Sequence, residues 1–193
     1  MDVVTSRISS IPWAAALIND PDWTRVSVFS REPKDSNEDS FVADTLKTDR
    51  TIRSYLTFRP VKEEEGGIPL PEIRTIVDLG TGVNGHPDTA HGGFSAILLD
   101  EACGTAVCLH RDIIIEQMRK RGQKFDGFHY YTAYLNVTYK KPMPTPGTYL
   151  CTVKIEREAG SGRKLFFRAT IGDGNGTVYT IGEALFIRVT GRL

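Results

Sequence analysis

His91, Gly92 and Gly93, followed nine positions after the histidine by Asp100, are the residues of this chain whose types and spacing could do chemistry. The first N–H groups of a helix have no intrahelical partner and sit at the positive end of its dipole. Two glycines at such a start leave those groups unobstructed, so a carbonyl oxygen or an anion can approach them. Two turns further on, a carboxylate can hold a water or attack an electrophile. An electrophile-polarising group together with a base or nucleophile suits attack on an activated acyl group. Two plainer readings stand beside this one: a carboxylate in an apolar helix can be a satisfied structural group, and His91 can simply cap the loop. Glu101 is the rival carboxylate. It points about 100° away, along Ile97, Leu98 and Thr105, as a structural or subunit-contact charge does. His86, Asp88 and His91 lack a zinc-like spacing, so no metal is expected.

Positioning these groups requires a helix. From Gly92 to about Leu109 the only polar side chains besides the cysteines are Ser95, Asp100, Glu101 and Thr105. That pattern predicts a helix buried on most sides. The following "HRDIIIEQMRKRGQK" reads either as a further helical turn or as an exposed excursion carrying Arg119, Lys120, Arg121 and Lys124. On the helix, Asp100 shares a face with Gly93, Ala96, Cys103, Gly104 and Val107. Glycine inside a helix costs about 1 kcal/mol relative to alanine, so Gly104 implies close approach by a strand or a ligand.

Strands flank the helix. "TIRSYLTFRPV" and "EIRTIVDLG" precede it, the latter with Ile73, Thr75, Val77 and Leu79 on one face and Arg74, Ile76 and Asp78 on the other. "YTAYLNVTYKKP" places Ala133, Leu135, Val137 and Tyr139 together, and three further strands follow, with "DGNG" as a hairpin turn. Short turns make antiparallel neighbours. The expected architecture is α+β: a curved antiparallel β-sheet wrapped around one long central α-helix. Residues 1–50 read as a partly irregular N-terminal extension with a short helix in "IPWAAALIND", and residues 51–193 as a single domain.

Composition narrows the partners. Lys plus Arg and Asp plus Glu both number 24 in 193 residues, so overall charge favours neither nucleic acid nor acidic surfaces. The three cysteines lack metal-like spacing and suit a reducing compartment. The N-terminus has neither the basic start nor the long apolar run of a secretory signal, and no stretch approaches the ~20 apolar residues of a membrane span. A cytoplasmic protein is expected, with an organelle such as the mitochondrion also open.

"HGGFSAILLDEACG" resembles the signature of the hotdog-fold acyl-CoA thioesterases, in the phenylacetyl-CoA thioesterase-like branch that has His-Gly-Gly entering the central helix and an Asp nine positions later. "TAYLNVTYKKPMP" and "GRKLFFRATIGDGNGTVYTIGEALFI" resemble that family's later strands, so the likeness covers roughly residues 72–189. The resemblance implies hydrolysis of an acyl-CoA thioester to free acid and CoA, with CoA as part of the substrate and no cofactor. Asp100 matches the general base or nucleophile, and the Gly92 and Gly93 N–H groups match the donors that polarise the carbonyl. His91 matches the motif's histidine. Thr132 matches a residue that positions the water from the other subunit. Asn84, one residue out of register, is the nearest match to an assisting asparagine, and Lys140, Lys141, Arg163 and Lys164 are matched to the CoA phosphates. The resemblance also implies a homodimer or a dimer of dimers. Other hotdog chemistries remain as alternatives: a dehydratase, lyase or cyclase acting on a polyketide-like intermediate, or a non-catalytic acyl-CoA-binding protein.

Overall fold

The structure, a computed structural model, describes residues 7–64, 67–123 and 127–190. Seven strands form one antiparallel sheet: β1 (Trp23–Val26), β2 (Ile52–Pro60), β3 (Glu72–Leu79), β6 (Phe128–Tyr139), β7 (Gly147–Ala159), β8 (Lys164–Gly172) and β9 (Val178–Thr190). Their spatial order is β1-β2-β3-β7-β8-β9-β6. A small hairpin of β4 (Asn84–His86) and β5 (Thr89–Ala90) leads into the helix α2 (Gly92–Lys120), which the sheet wraps. Leu98, Leu99, Ala102, Cys103 and Ala106 on α2 pack in one cluster with Val77, Val153, Phe167 and Phe186 of the sheet. At the closest approach a Cβ on Gly182 would lie 3.2 Å from both Leu99 and Leu135.

The helix continues for 29 residues to Lys120, so the stretch after Leu109 is helical and not an excursion. His110 and Ile113 are both buried and carry the packed face one turn further. Arg119 and Lys120 occupy the last turn, where cations complement the dipole, and Gly122 follows at φ 68°. Lys124 lies outside the described residues. By length and composition alone this helix could cross a membrane, but half of its apolar window is buried within the fold, where it serves as the core helix.

Alternation along β3 does not produce a solvated face. Ile73, Val77 and Leu79 are buried toward α2, and Ile76 is equally buried on the opposite side. Its cover comes from the N-terminal region, where Ile8 and the helix α1 (Pro12–Ile18) contribute Ile8, Ala14 and Leu17 to a second core with Leu56 and Phe58. Asp78, 1% exposed, is held on this side by Arg7, by Arg53 at 2.8 Å and by Thr148 at 3.2 Å.

In β6 the register shifts between Thr132 and Tyr134, so Ala133 is a bulged residue and not the inward partner of Leu135 and Val137. The bulge keeps both Thr132 and, beyond it, Leu135 and Val137 on the helix side. The outer edge of β6 is unpaired among the described residues and exposes Tyr131, Tyr134 and Tyr139.

His110 lies 2.9 Å from Glu158 and is 2% exposed; burial lowers its pKa, against the opposing pull of Glu158. The unfolded chain therefore takes up a proton that the folded chain resists. Stability from this residue is present above about pH 6.5 and is lost as pH falls toward the depressed folded value, at a limiting slope of about 1.4 kcal/mol per pH unit. Urea unfolding of His110→Gln is expected to give a flatter stability profile than wild type between pH 7 and 5.5. Parallel profiles would refute the assignment.

Candidate active site

The loop between β3 and α2 is built around His91. Its N–H donates to the Val83 carbonyl at 2.8 Å. A Cβ on Gly85 would fall 2.9 Å from the His91 Cα and ring, so glycine is required there for the hairpin to close on the histidine. His91 is the N-cap of α2, and its Nδ1 accepts the Gly93 N–H at 2.9 Å. Nδ1 is therefore the unprotonated nitrogen, and in the neutral ring Nε2 carries the hydrogen.

This changes the donor set. The Gly93 N–H, expected to polarise a carbonyl, is engaged by His91. Of the two glycine donors only the Gly92 N–H is without a hydrogen bond among the described residues, and the His91 Nε2–H is a further donor at the helix mouth. Tyr139 donates to the Gly92 carbonyl at 2.9 Å and steadies that first peptide. Lys140 and Lys141 line the same pocket of about 340 Å³, together with Gly92, Ser95 and Tyr139. Because His91 caps the helix, His91→Ala is expected to lower stability by about 1 kcal/mol, read as a lower urea midpoint at unchanged m-value.

Asp100 projects from the middle of α2 and accepts the Thr132 hydroxyl at 2.9 Å. Both residues belong to the same chain, whereas the resemblance implied that Thr132 reaches across from another subunit. Eight residues of helix separate Asp100 from Gly92, about 12 Å at 1.5 Å per residue. One carbonyl group cannot touch both within a single chain. Gly104, one turn beyond Asp100, is open: nothing lies within 4 Å of a Cβ placed there, so no described strand explains that glycine.

Glu101 turns the other way, where the Ser30 hydroxyl donates to it. Burial raises its pKa, with the Ser30 hydrogen bond opposing. Asn84 accepts from Thr145 and pairs with Ala90 beside His91. Lys164 pairs with Ile187 near the end of β9, and Arg163 accepts from the Arg188 N–H, whereas Lys140 bonds Tyr179 at the start of β9. The two basic pairs thus occupy opposite ends of the sheet. Gly85, Tyr139 and Ser30 were not singled out as site residues in the sequence. Gly85 was the most accessible of them, as a glycine inside a short polar hairpin. Tyr139 and Ser30 act across long sequence separations and carry no local signal.

No family model matches the chain. It is 32% identical over 111 residues to the mouse (Mus musculus) acyl-coenzyme A thioesterase THEM4, a match that covers 57% of this chain and 40% of that protein's length. A hypothetical thioesterase from Streptococcus pneumoniae, solved with coenzyme A, superposes with a TM-score of 0.53 at 12% identity over 74% of this chain and 91% of that one. A mutant thioesterase from Pseudomonas aeruginosa gives a TM-score of 0.50 at 10% identity over 63% and 76% of the two chains. With a long central helix enclosed by one antiparallel sheet and these structures as neighbours, the chain has the hotdog fold.

Proposed function

We propose that the chain hydrolyses an acyl-CoA thioester to the free acid and CoA. The observation that carries this reading is Asp100: a carboxylate in the middle of the central helix, fixed by Thr132 at 2.9 Å and one turn from the open position at Gly104. The partial likeness to a thioesterase of known name supports the same chemistry.

In this reading the Gly92 N–H and the His91 Nε2–H receive the thioester carbonyl oxygen and stabilise the negative charge that develops on it. Thr132 donates to one Asp100 oxygen and leaves the other for water. Asp100 takes a proton as the water oxygen bonds to the carbonyl carbon; the C–S bond then breaks, and the proton returns to the CoA thiolate.

The ~12 Å of helix between Gly92 and Asp100 supports a site assembled from two copies. Tyr139 lies level with Gly92, and Thr132 lies level with Asp100. A two-fold axis between these levels, beside Ala96 and the Leu135–Asn136 stretch, brings Gly92 of one copy to Asp100 of the other. The unpaired β6 edge with its exposed tyrosines supports such a contact. Antiparallel pairing of two β6 edges would also carry Arg163 and Lys164 of one copy toward Lys140 and Lys141 of its mate, giving a mixed basic cluster for the CoA phosphates.

The test is release of free thiol from acyl-CoAs of graded chain length, aryl groups included. Turnover of part of the panel is the expected result. A panel that binds without releasing thiol would defeat the hydrolase reading.

A further inference from the structure

Beyond Asp100 lies a pocket of about 450 Å³, enclosed between the middle of α2, the start of β6 and the N-terminal residues 27–30 and 38–39. Two routes lead into it from the Asp100–Thr132 pair. Along the helix, the next residue on the Asp100 face is Gly104, which lines the pocket and has nothing within 4 Å of a Cβ. Along the strand, the preceding residue on the Thr132 side is Tyr130, which also lines it. Gly104 and Tyr130 therefore join the Asp100–Thr132 pair to this space.

The walls are part apolar, from Val28, Val107, Tyr130 and Phe186. The polar feature is Glu101. Ser30 donates to its Oε1, while its Oε2 accepts no hydrogen bond among the described residues. Glu38, Asp39 and Asp112 add carboxylates at the rim, with Lys34 on Asp39 and Arg111 on Asp112. The pocket thus offers an acceptor for a neutral donor and an unfavourable field for an anion.

We propose that this pocket receives the far end of the acyl group, and that Glu101, oriented by Ser30, selects acyl groups ending in a hydroxyl over those ending in a methyl or a carboxylate. This rests on the acyl-CoA reading above. Within it, Glu101 determines specificity and is not a catalytic residue, and the N-terminal segment that carries Ser30 forms part of the substrate site.

Binding, not turnover, tests it. Ketone analogues of acyl-CoAs, with a methylene between carbonyl and sulfur, cannot be hydrolysed. They would be made at chain lengths of four, six and eight carbons with methyl, hydroxyl or carboxylate ends, and titrated by calorimetry. At the best length, the hydroxyl form is expected to bind wild type about ten-fold tighter than the methyl form, consistent with one hydrogen bond to a charged group. The carboxylate form is expected to bind more weakly than both. Glu101→Leu should erase or invert the hydroxyl preference, and Ser30→Ala should reduce it, with affinity for CoA itself unchanged as the check on folding. Equal affinity for the three ends, or a hydroxyl preference that survives Glu101→Leu, overturns the proposal. An altered number of subunits per particle in Glu101→Leu would assign this face to a subunit contact and overturn it as well. Should wild type bind the analogues in the expected order yet release no thiol from any acyl-CoA, the hydrolase reading fails and the pocket assignment stands.

Discussion

Asp100→Asn is expected to lower kcat for acyl-CoA hydrolysis by about 10³-fold, within the range for loss of a general base. The substitution is chosen because it changes little else. An asparagine Oδ1 can still accept the Thr132 hydroxyl now bonded to Asp100 at 2.9 Å, so the local geometry survives. It loses the ability to take a proton from water. KM is expected to change far less than kcat, because the carboxylate acts on water in the transition state and not on the bound ester. Thr132→Val should produce a smaller loss, since the carboxylate remains but its orientation is freed. A kcat within a few-fold of wild type for Asp100→Asn would remove Asp100 from the chemistry and return it to a structural role.

The fold and the site were legible to different degrees. Alternation exposed the long strands, and the apolar run from Gly92 exposed the helix, because both periods reflect burial on the same core. The far end of the helix was ambiguous: "DIIIEQ" is compatible with either state, and packing of His110 and Ile113 decides it. β1, 4 residues long, is too short for a period to emerge, whereas the short helix expected in "IPWAAALIND" is α1; the first extends the sheet and the second covers its outer face. The bulge at Ala133 was invisible for a related reason. It inverts the alternation in mid-strand, and its effect is to aim Thr132 at a helix residue 32 positions away. At the site, the residue types at 91–93 and 100 pointed to attack on an activated acyl group. The bond from Gly93 to the His91 ring did not, because a histidine N-cap and a free oxyanion donor are written with the same letters.

That bond leaves the Gly92 N–H as the unengaged one of the two glycine donors, and it can be removed without rebuilding the helix. Gly92 is the first residue of α2, the position where proline is best tolerated because its missing N–H has no helical partner. The preceding His91 has φ −63° and ψ 135°, the extended conformation that proline demands of its neighbour. The Tyr139 ring would lie 3.4 Å from a Cβ at Gly92, a contact that a small shift of this exposed side chain accommodates. Gly92→Pro is therefore expected to fold and to lose about 10²- to 10³-fold in kcat, the usual effect of deleting one oxyanion donor. Combined with Asp100→Asn it also tests where the site is assembled. In the proposed dimer, each variant alone leaves both sites without one group. Unfolded together and refolded as a mixture, about half of the dimers are mixed, and in each of those one site joins an intact Gly92 to an intact Asp100. Activity should recover to roughly a quarter of wild type. If both groups instead served a site within one chain, every site in the mixture would remain defective and no activity would return.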